Sequence, residues 1–338
     1  GGIYISGNAH LRMINCDISG NTVGGGYGFG GAVSTNTPSI KNIYAKNCRF
    51  IDNHAQNAGG IRTENGTALF EDCIFKGNSA GYHGAVYKTY PSAILTVERC
   101  TFEGNSSSGS YGVGYIQIGN FKDCVFRSNS ATISEGVGTF ITSNLTNCAF
   151  DKNWAEGAGV GVMNSSNIVN CVFTGNTAEA FGGIQVSGTG KAENCIFAGN
   201  KAVNGAYGAV FQNGGNFNIV NCTFNGNTAT TSADVIGISN QGRMRVRNSI
   251  LWRNGGNDCY LTALSTCTFE YSDLGGISME AGMASKECLS IDPLFVSTGR
   301  IRSAILAAGD GLSLHRQCIN RSPHDRPGRK CKAARAQK

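Results

Sequence analysis

Two pairs of glutamates recur at fixed positions along the chain, and carboxylates that stack on one another can serve as acid and base. Glu71 and Glu98 each stand two residues before a cysteine, and Glu156 and Glu179 each stand three residues before a glycine. If successive repeats lie one above another, the members of a pair are about 5 Å apart, a separation typical of retaining glycoside cleavage. In the repeats before and after Glu71 and Glu98, the residue two before Cys is a lysine. This arrangement favours a ladder of solvated surface charges over a catalytic pair.

A group of aromatic side chains falls in two successive repeats. Its members are Tyr82, His83, Tyr87, Tyr90, Tyr111 and Tyr115. Exposed rings on a flat sheet can stack on the faces of sugars, and tyrosine hydroxyls form hydrogen bonds at the rim. The group therefore indicates a surface for a glycan or a protein partner. Packing of a loop over the neighbouring strands is the alternative.

Cysteine and histidine spacing does not fit a zinc site, and the sequence contains no catalytic triad and no phosphate-binding loop. We therefore expect no cofactor. Nine of the 14 cysteines share one position in a repeat. Parallel stacking keeps their Cβ atoms about 4.8 Å apart, beyond the preferred disulfide range, which predicts a column of reduced thiols. Outside the column, Cys259 and Cys267 are the pair most able to form a bridge.

The elements that must position these side chains are copies of one motif: Cys, any residue, Phe, two residues, Asn. The strict copies begin at Cys48, Cys73, Cys100, Cys124, Cys148, Cys171, Cys195 and Cys222. Related copies begin at Cys16, with Ile in place of Phe, and at Ser249, with Leu. Neighbouring strict copies are 23 to 27 residues apart, which is the period of a solenoid whose turns cover one another.

Each position of the motif has a physical meaning. Cys and Phe, two residues apart, face the same side of a strand. A mostly apolar column three residues before Cys, such as Phe70 before Cys73, reaches the same core only if the chain bends between the two positions. Asn fits a turn because it tolerates left-handed backbone, and stacked amides can bond to one another. A Gly-rich strand start follows, so each coil is predicted to contain about three short strands.

Composition and charge exclude several classes of protein. Charged residues make up 15% and Gly numbers 48 against 5 Pro, which favours turn-rich β-structure. The net charge of +6 comes from the tail, because residues 297–338 hold ten Lys and Arg against two Asp, and the rest of the chain holds 18 against 20 acidic residues. The near-neutral body gives a nucleic-acid partner no electrostatic basis. The sequence contains no run of 18 apolar residues, so it predicts no transmembrane segment.

The repeats resemble those of the polymorphic outer membrane protein family. The resemblance lies in paired motifs such as Phe50-x-x-Asn53 and Gly30-Gly31-Ala32-Val33, and it covers about residues 1–254. These motifs are also similar to those of the wider pectate-lyase-like superfamily of right-handed β-helices. Lyases of that superfamily use clustered carboxylates, often with calcium, and a Lys or Arg base. The resemblance therefore implies calcium only if this chain cleaves polysaccharide.

The segment 248–258 is similar to the closing coils of bacterial secreted β-helix proteins of the choice-of-anchor kind, and residues 271–273 and 292–295 fit the same pattern. The sequence departs from that family at residues 312–320, after which the tail turns basic. The chain also begins within a repeat, at Gly1-Gly2-Ile3, so we interpret it as part of a longer or processed protein. The resemblance implies an exported protein and leaves its final cap and anchor undefined.

Together these features predict a right-handed, single-stranded parallel β-helix of about ten coils. It is expected to occupy residues 1–296, with irregular closing coils from about residue 249, and residues 297–338 are expected to form a basic, poorly ordered or truncated tail. We expect a secreted or cell-surface protein with a binding or adhesive role towards glycans or neighbouring surfaces. The alternative is a polysaccharide lyase or glycoside hydrolase that acts on an extracellular polysaccharide.

Overall fold

In the computed structural model the chain forms a parallel β-solenoid of about nine turns, which confirms the predicted fold. The structure describes residues 2–6, 9–25, 28–35, 42–63, 66–88, 94–255, 258–262, 264–275, 279 and 281–293. These ranges contain no helix. Every strand pairs in parallel with its counterpart one coil away, and the strands make four sheets. The predicted tail, residues 297–338, lies outside the described residues.

The Cys-x-Phe segments form the first sheet, here called the Phe sheet. Its strands are Asp17–Ser19, Arg49–Ile51, Ile74–Lys76, Thr101–Glu103, Val125–Arg127, Ala149–Asp151, Val172–Thr174, Ile196–Ala198, Thr223–Asn225, Ile250–Trp252 and Asp273–Leu274. The rings from Phe50 to Phe224 are buried and stack coil on coil, with centroids 4.6–4.9 Å apart. Because ring stacking adds to the burial of apolar area, this column is a principal part of the core.

The strands before the cysteines form a second sheet, the pre-Cys sheet. Its strands are Leu11–Ile14, Ile43–Lys46, Ala68–Glu71, Ile94–Glu98, Ile118–Lys122, Asn144–Thr146, Asn167–Val169, Thr189–Glu193, Asn216–Val220, Arg243–Arg247, Thr266–Glu270 and Met283–Lys286. The apolar column three residues before Cys is buried, as predicted. The residue directly before Cys makes the necessary bend, since Asn47 and Asp72 have φ of 51° and 54°. A left-handed residue turns the next side chain back towards the core.

The Gly-rich segments lead into a third sheet, the Gly sheet. Its strands are Ile3–Ile5, Val33–Thr35, Ile61–Thr63, Val86–Lys88, Gly114–Ile116, Gly138–Ile141, Gly161–Asn164, Ile184–Ser187, Val210–Asn213, Ile236–Ser239 and Cys259–Leu261. The glycines are required because the coils approach closely at this corner. A Cβ at Gly112 would collide with the carbonyl oxygen of Gly136 in the next coil. The predicted role of glycine is therefore confirmed.

A fourth sheet, which the sequence did not predict, follows the motif Asn. This short sheet consists of His54–Ala55, Ser79–Ala80, Ser106–Ser107, Ser130–Ala131, Trp154–Ala155, Thr177–Ala178 and Lys201–Ala202. The middle coils therefore contain four strands where about three were predicted. Two residues are too few to show an alternating pattern, and only the parallel backbone hydrogen bonds between coils reveal the strand.

The motif asparagines form the ladder of amides that the sequence predicted. Each Nδ2 donates to Oδ1 of the Asn in the next coil at 2.9–3.1 Å, from Asn21 to Asn254. The predicted left-handed conformation of the Asn itself was wrong, because the residue before it has the positive φ, as Asp52 and Gly77 do. That residue turns the chain, and the Asn side chain is thereby directed into the interior.

The cysteine column consists of free thiols. Its members from Cys48 to Cys222 are buried, whereas Cys16 is only partly buried. Cys148 illustrates the bonding: its Sγ donates to the carbonyl of Thr146 at 3.3 Å, and its backbone N–H donates to Sγ of Cys171 at 3.4 Å. Ser249 continues the column, and its hydroxyl donates to the carbonyl two residues earlier at 2.8 Å. The position therefore suits a small side chain that both donates and accepts a hydrogen bond.

We expect the buried thiols of this column to resist alkylation in the native protein and to react after unfolding, because a buried thiol is inaccessible to the reagent. Mass spectrometry of peptides labelled before and after denaturation measures this. The partly buried Cys16 and Cys288 provide the internal control and should react first. A reproducible bridge between neighbours such as Cys148 and Cys171 would show that the stacking is different from that described.

Cys259 and Cys267, the pair most able to form a bridge, are neighbours in the closing coils. Both are buried and free, and their side chains are hydrogen-bonded to each other. Cys318 and Cys331 lie outside the described residues. The same labelling experiment reports whether Cys259 and Cys267 are oxidised in the isolated protein.

Candidate functional site

Glu71 and Glu98 lie side by side on the pre-Cys sheet, as their positions predicted. Arg99 binds both carboxylates: its Nη1 lies 3.0 Å from Oε2 of Glu98 and its Nη2 lies 3.4 Å from Oε1 of Glu71. The Nε of Arg99 also donates to Oδ1 of Asp72 at 2.7 Å. The hydroxyl of Tyr44 donates to Oε2 of Glu71 at 2.7 Å. One guanidinium thus partly offsets the charge of three neighbouring carboxylates at the surface.

This arrangement favours a structural role for the glutamate pair. The hydrogen bond from Arg99 holds the pKa of Asp72 below its usual value. Lys46 and Lys122 flank the pair in register, one coil to either side. The cluster therefore has the character of the solvated charge ladder that the flanking lysines predicted.

A second ladder of charges runs along the Phe sheet. Glu103 accepts from Arg127 at 2.7 Å and lies 3.7 Å from Nζ of Lys76. The hydrogen bond from Arg127 lowers the pKa of Glu103. Asp151 is next in register after Arg127, so the alternation of sign is that expected from the sequence. Pairs of this kind on an exposed face contribute little to stability.

Glu156 and Glu179 stack in adjacent coils on the turn that follows the short sheet. The N–H of Ala180 donates to the backbone carbonyl of Glu156 at 3.0 Å. Both glutamates are exposed, and no ion pair involving either was found in the part of the chain that the structure describes. Both carboxylates therefore lie at the solvent-exposed surface of this turn.

Two adjacent columns of side chains build an outer surface that we call the aromatic face. The pre-glycine column, one residue before the Gly-rich segments, contains Ala58, His83, Tyr111, Glu135, Ala158, Phe181, Tyr207 and Ala233. The outer column, on the outside of the Gly sheet, contains Arg62, Tyr115, Thr139, Val162, Gln185, Phe211, Gly237 and Tyr260. The corner at the glycine brings the two columns into contact.

The structure brings together much of the aromatic group predicted from the sequence. The rings of His83 and Tyr111 stack with centroids 5.1 Å apart, and Tyr111 lies 5.7 Å from Tyr115 at a tilt of 49°. Tyr82 is 49% exposed and lies beside His83, with 6.5 Å between ring centroids. Tyr111 and Tyr115 are partly buried. These rings therefore form a patch on the outside of the solenoid rather than part of its core.

His83 is the innermost member of this patch. Burial lowers its pKa to about 4, and its Nδ1 lies 2.9 Å from the carbonyl oxygen of Asn57. The ring is therefore neutral at physiological pH and supports Tyr111 rather than carrying charge. Tyr87 pairs in register with Tyr115 on the Gly sheet, but its side chain lies outside what the structure describes, as does all of Tyr90.

The aromatic face extends further along the solenoid than the sequence predicted. Phe181, Tyr207 and Phe211 form a second cluster, with stacked ring centroids 4.6–5.8 Å apart. Tyr260 continues this cluster at 6.4 Å from Tyr207. The signal was present in the sequence, because Phe181 and Tyr207 each precede a glycine, as His83 does. Sequence reasoning missed it because these aromatic residues are spread over distant repeats.

Glu135 lies between the two aromatic clusters. It follows Tyr111 in the pre-glycine column, and the smaller Ala158, Thr139 and Val162 continue the surface in the next coils. Burial raises the pKa of Glu135 to about 7, and its Oε2 is buried without a hydrogen-bond partner. A carboxyl group that is partly protonated at neutral pH can donate as well as accept a hydrogen bond.

The described residues contain no group of three or more His, Cys, Asp or Glu side chains arranged to hold a metal ion. Nor do they contain a helix long and apolar enough to cross a membrane.

Comparison with known proteins agrees with the geometry of the coils. Residues 1–191, more than half of the chain, match the family model described as a right-handed beta helix region. No curated protein and no solved structure gave a significant match. The parallel pairing of every strand with its counterpart one coil away is the architecture that this match implies. The chain therefore belongs to the right-handed β-helix family.

Proposed function

We propose that this chain is a secreted or cell-surface binding element that holds a glycan along its aromatic face. The observation that carries the proposal is the patch of Tyr111 and Tyr115, two rings in contact on the outside of the solenoid and only partly buried. Aromatic rings present apolar faces to sugars, and their hydroxyls bond at the rim. A repeat protein also offers its ligand an extended surface rather than one closed pocket.

The arrangement around this patch suits a chain-like ligand. Tyr115 stands at one end of a stretch of smaller side chains and Phe181 at the other, three coils or roughly 14 Å further along the axis. Between them lie Glu135, whose carboxyl can bond to sugar hydroxyls, and the smaller side chains of Thr139 and Ala158. Apolar walls with a few polar groups between them are typical of ligand sites.

The proposed location rests on the character of the repeats. Their Phe-x-x-Asn and Gly-Gly-Ala motifs resemble those of polymorphic outer membrane proteins, and the closing coils resemble those of choice-of-anchor proteins. Both resemblances favour a cell-surface setting, where the partner would be a polysaccharide, a surface glycan or a protein that carries one. A near-neutral solenoid is also suited to uncharged ligands.

Replacing Tyr115 by Ala is expected to weaken binding to whichever polysaccharide the wild type retains by about tenfold, because one stacked ring contributes on the order of 1 kcal/mol or more. A panel of acidic and neutral polysaccharides, tested by affinity electrophoresis and then by titration calorimetry, provides the measurement. Tyr115→Phe keeps the ring and should retain most of the affinity, which separates stacking from the hydroxyl contact.

Trp154 supplies the matched control, since it is an exposed aromatic residue, 38% accessible, that belongs to the short sheet and to neither column of the aromatic face. Trp154→Ala should leave binding unchanged. If the wild type retains no glycan in the panel, or if Tyr115→Ala and Trp154→Ala weaken binding equally, the aromatic face is not the binding surface.

Cleavage of the bound polysaccharide is the second candidate function, and Glu135 is the observation that favours it. Its raised pKa is the property of a general acid at neutral pH. The same panel, assayed for new reducing or unsaturated ends, detects such an activity. Under this proposal Glu135→Gln abolishes turnover, whereas Glu71→Gln and Glu98→Gln, which alter the Arg99 cluster, leave it unchanged.

A further inference from the structure

The amide ladder ends at a buried carboxylate. Asn254 is its last described member, and the Oδ1 of this residue accepts from Asn227 at 3.0 Å for the backbone N–H and 3.1 Å for Nδ2. In earlier coils the outgoing N–H of each amide bonds to the next Asn. Asn254 instead bonds to the side chain of Asp258, four residues later in the same turn. The carboxylate thus takes the place of the next amide in the ladder.

Asp258 is almost completely buried, although only one of its carboxylate oxygens has a hydrogen-bond partner. Only 3% of its surface is exposed, and its Oδ1 is buried without any hydrogen-bond partner. Its backbone carbonyl accepts from the N–H of Ile236, which fixes it beside the preceding coil. No Lys, Arg or His in the described residues forms an ion pair with it. A carboxylate in such a place ordinarily requires a compensating charge.

A second carboxylate faces the same region. Asp234 belongs to the preceding coil, is 7% exposed, and carries the charge that acts on Asp258. Its Oδ1 accepts from the N–H of Ala229 at 2.7 Å. Gly255 packs directly against this carboxylate, and a Cβ there would collide with it. The fold therefore keeps two acidic side chains close enough to interact, with the backbone of Gly255 packed against one of them.

We propose that Asp234 and Asp258 bind a hard divalent cation of the calcium type in the closing coils of the solenoid. Carboxylate and carbonyl oxygens are the ligands that calcium prefers, and the unpartnered Oδ1 of Asp258 supplies a free one. The cation would compensate the two buried negative charges and so stabilise the packing of the two closing coils that carry them.

Calcium binding is tested on the full chain, freed of metal with a chelator and titrated with CaCl2 at pH 7.5. Two carboxylates form a weak site, so we expect a Kd on the order of 0.1–1 mM in calorimetry. At 10 mM Ca2+ the Tm should rise by roughly 3 °C. Absence of both a binding heat and a shift in Tm would overturn the proposal.

Asp258→Asn is the sharpest variant, because the amide oxygen still accepts from Asn254 while the charge is removed. It should fold and lose the calcium-dependent shift, and Asp234→Asn should do the same. Asp17→Asn, an exposed aspartate paired with Arg49 at the other end of the solenoid, should respond to calcium as the wild type does. An undiminished shift in Asp258→Asn would place the cation elsewhere and contradict the assignment. These readouts do not depend on glycan binding.

Discussion

Replacing Phe126 by Ala is expected to lower the free energy of unfolding by about 3–5 kcal/mol, the usual cost of removing a buried phenyl ring. Phe126 is fully buried and stacks on Phe102 and Phe150 with centroids 4.9 and 4.8 Å away. Rings from other columns complete its surroundings, with Phe121 at 5.9 Å and Phe140 at 6.4 Å. The cavity would lie on the core axis, where neighbouring coils cannot close it without leaving their register.

Urea unfolding measures this loss, followed both by circular dichroism and by the fluorescence of the two tryptophans. Agreement of the two probes tests whether the coils unfold together, which is not assured for a repeat protein. The control is Ile133→Ala in the same coil, which removes a side chain that is 59% exposed and should cost less than about 1 kcal/mol. A loss below about 1 kcal/mol for Phe126→Ala would contradict the described core.

Replacing Asn153 by Leu is expected to destabilise the protein by roughly 3–6 kcal/mol, because it leaves several buried polar groups without partners at 1–3 kcal/mol each. The Nδ2 of Asn153 donates to the carbonyl of Phe126 at 3.1 Å and to Oδ1 of Asn176 at 2.9 Å. Its Oδ1 accepts from both the backbone N–H and the Nδ2 of Asn129 at 3.0 Å. Leucine fills the space and so also excludes the water that could replace these bonds.

The same coil offers a matched control in Asn144, a member of a second amide ladder on the exposed side of the pre-Cys sheet. Asn144 donates to Asn120 at 3.0 Å and accepts from Asn167 at 3.1 Å, so it makes similar side-chain bonds in contact with water. Asn144→Leu should cost less than about 1 kcal/mol, because water satisfies the groups left behind. Equal losses for the two variants in urea unfolding would show that burial does not govern the contribution of the ladder.

The sequence by itself determined the coil and its inward columns. Strict copies of the motif put Cys and Phe on one face, and the odd offset between Phe70 and Cys73 can be reconciled with a single core only by a bend. The register was also determined, because slipping a coil by one residue would turn every Phe outward. Stacking of Glu71 on Glu98 followed from this register, and the structure has it.

Residue type alone did not determine which residue turns the chain after the Phe strand. Asn favours left-handed backbone, and so do Gly77 and Asp52, which precede Asn78 and Asn53. In the folded protein the Asn side chains are needed inside, where neighbouring coils supply partners for all their polar atoms. The preceding residue therefore adopts the positive φ. The hydrogen bonds between coils thus determine that the residue before Asn, and not the Asn itself, adopts the left-handed conformation.

The electrostatics of the surface were decided only by the tertiary structure. Arg99 follows Glu98 in the sequence, yet it also reaches Glu71 and Asp72 in the coil before, and this contact gives the acidic cluster its structural character. Glu135 has no distinctive neighbours along the chain, and its raised pKa arises from burial in the folded coil, where Tyr111 and Ala158 are its partners one coil to either side. A repeat fixes the positions of backbones and inward side chains. The packing of outward side chains, and the water they exclude, depends on which residues meet between coils, and the repeat does not specify those residues.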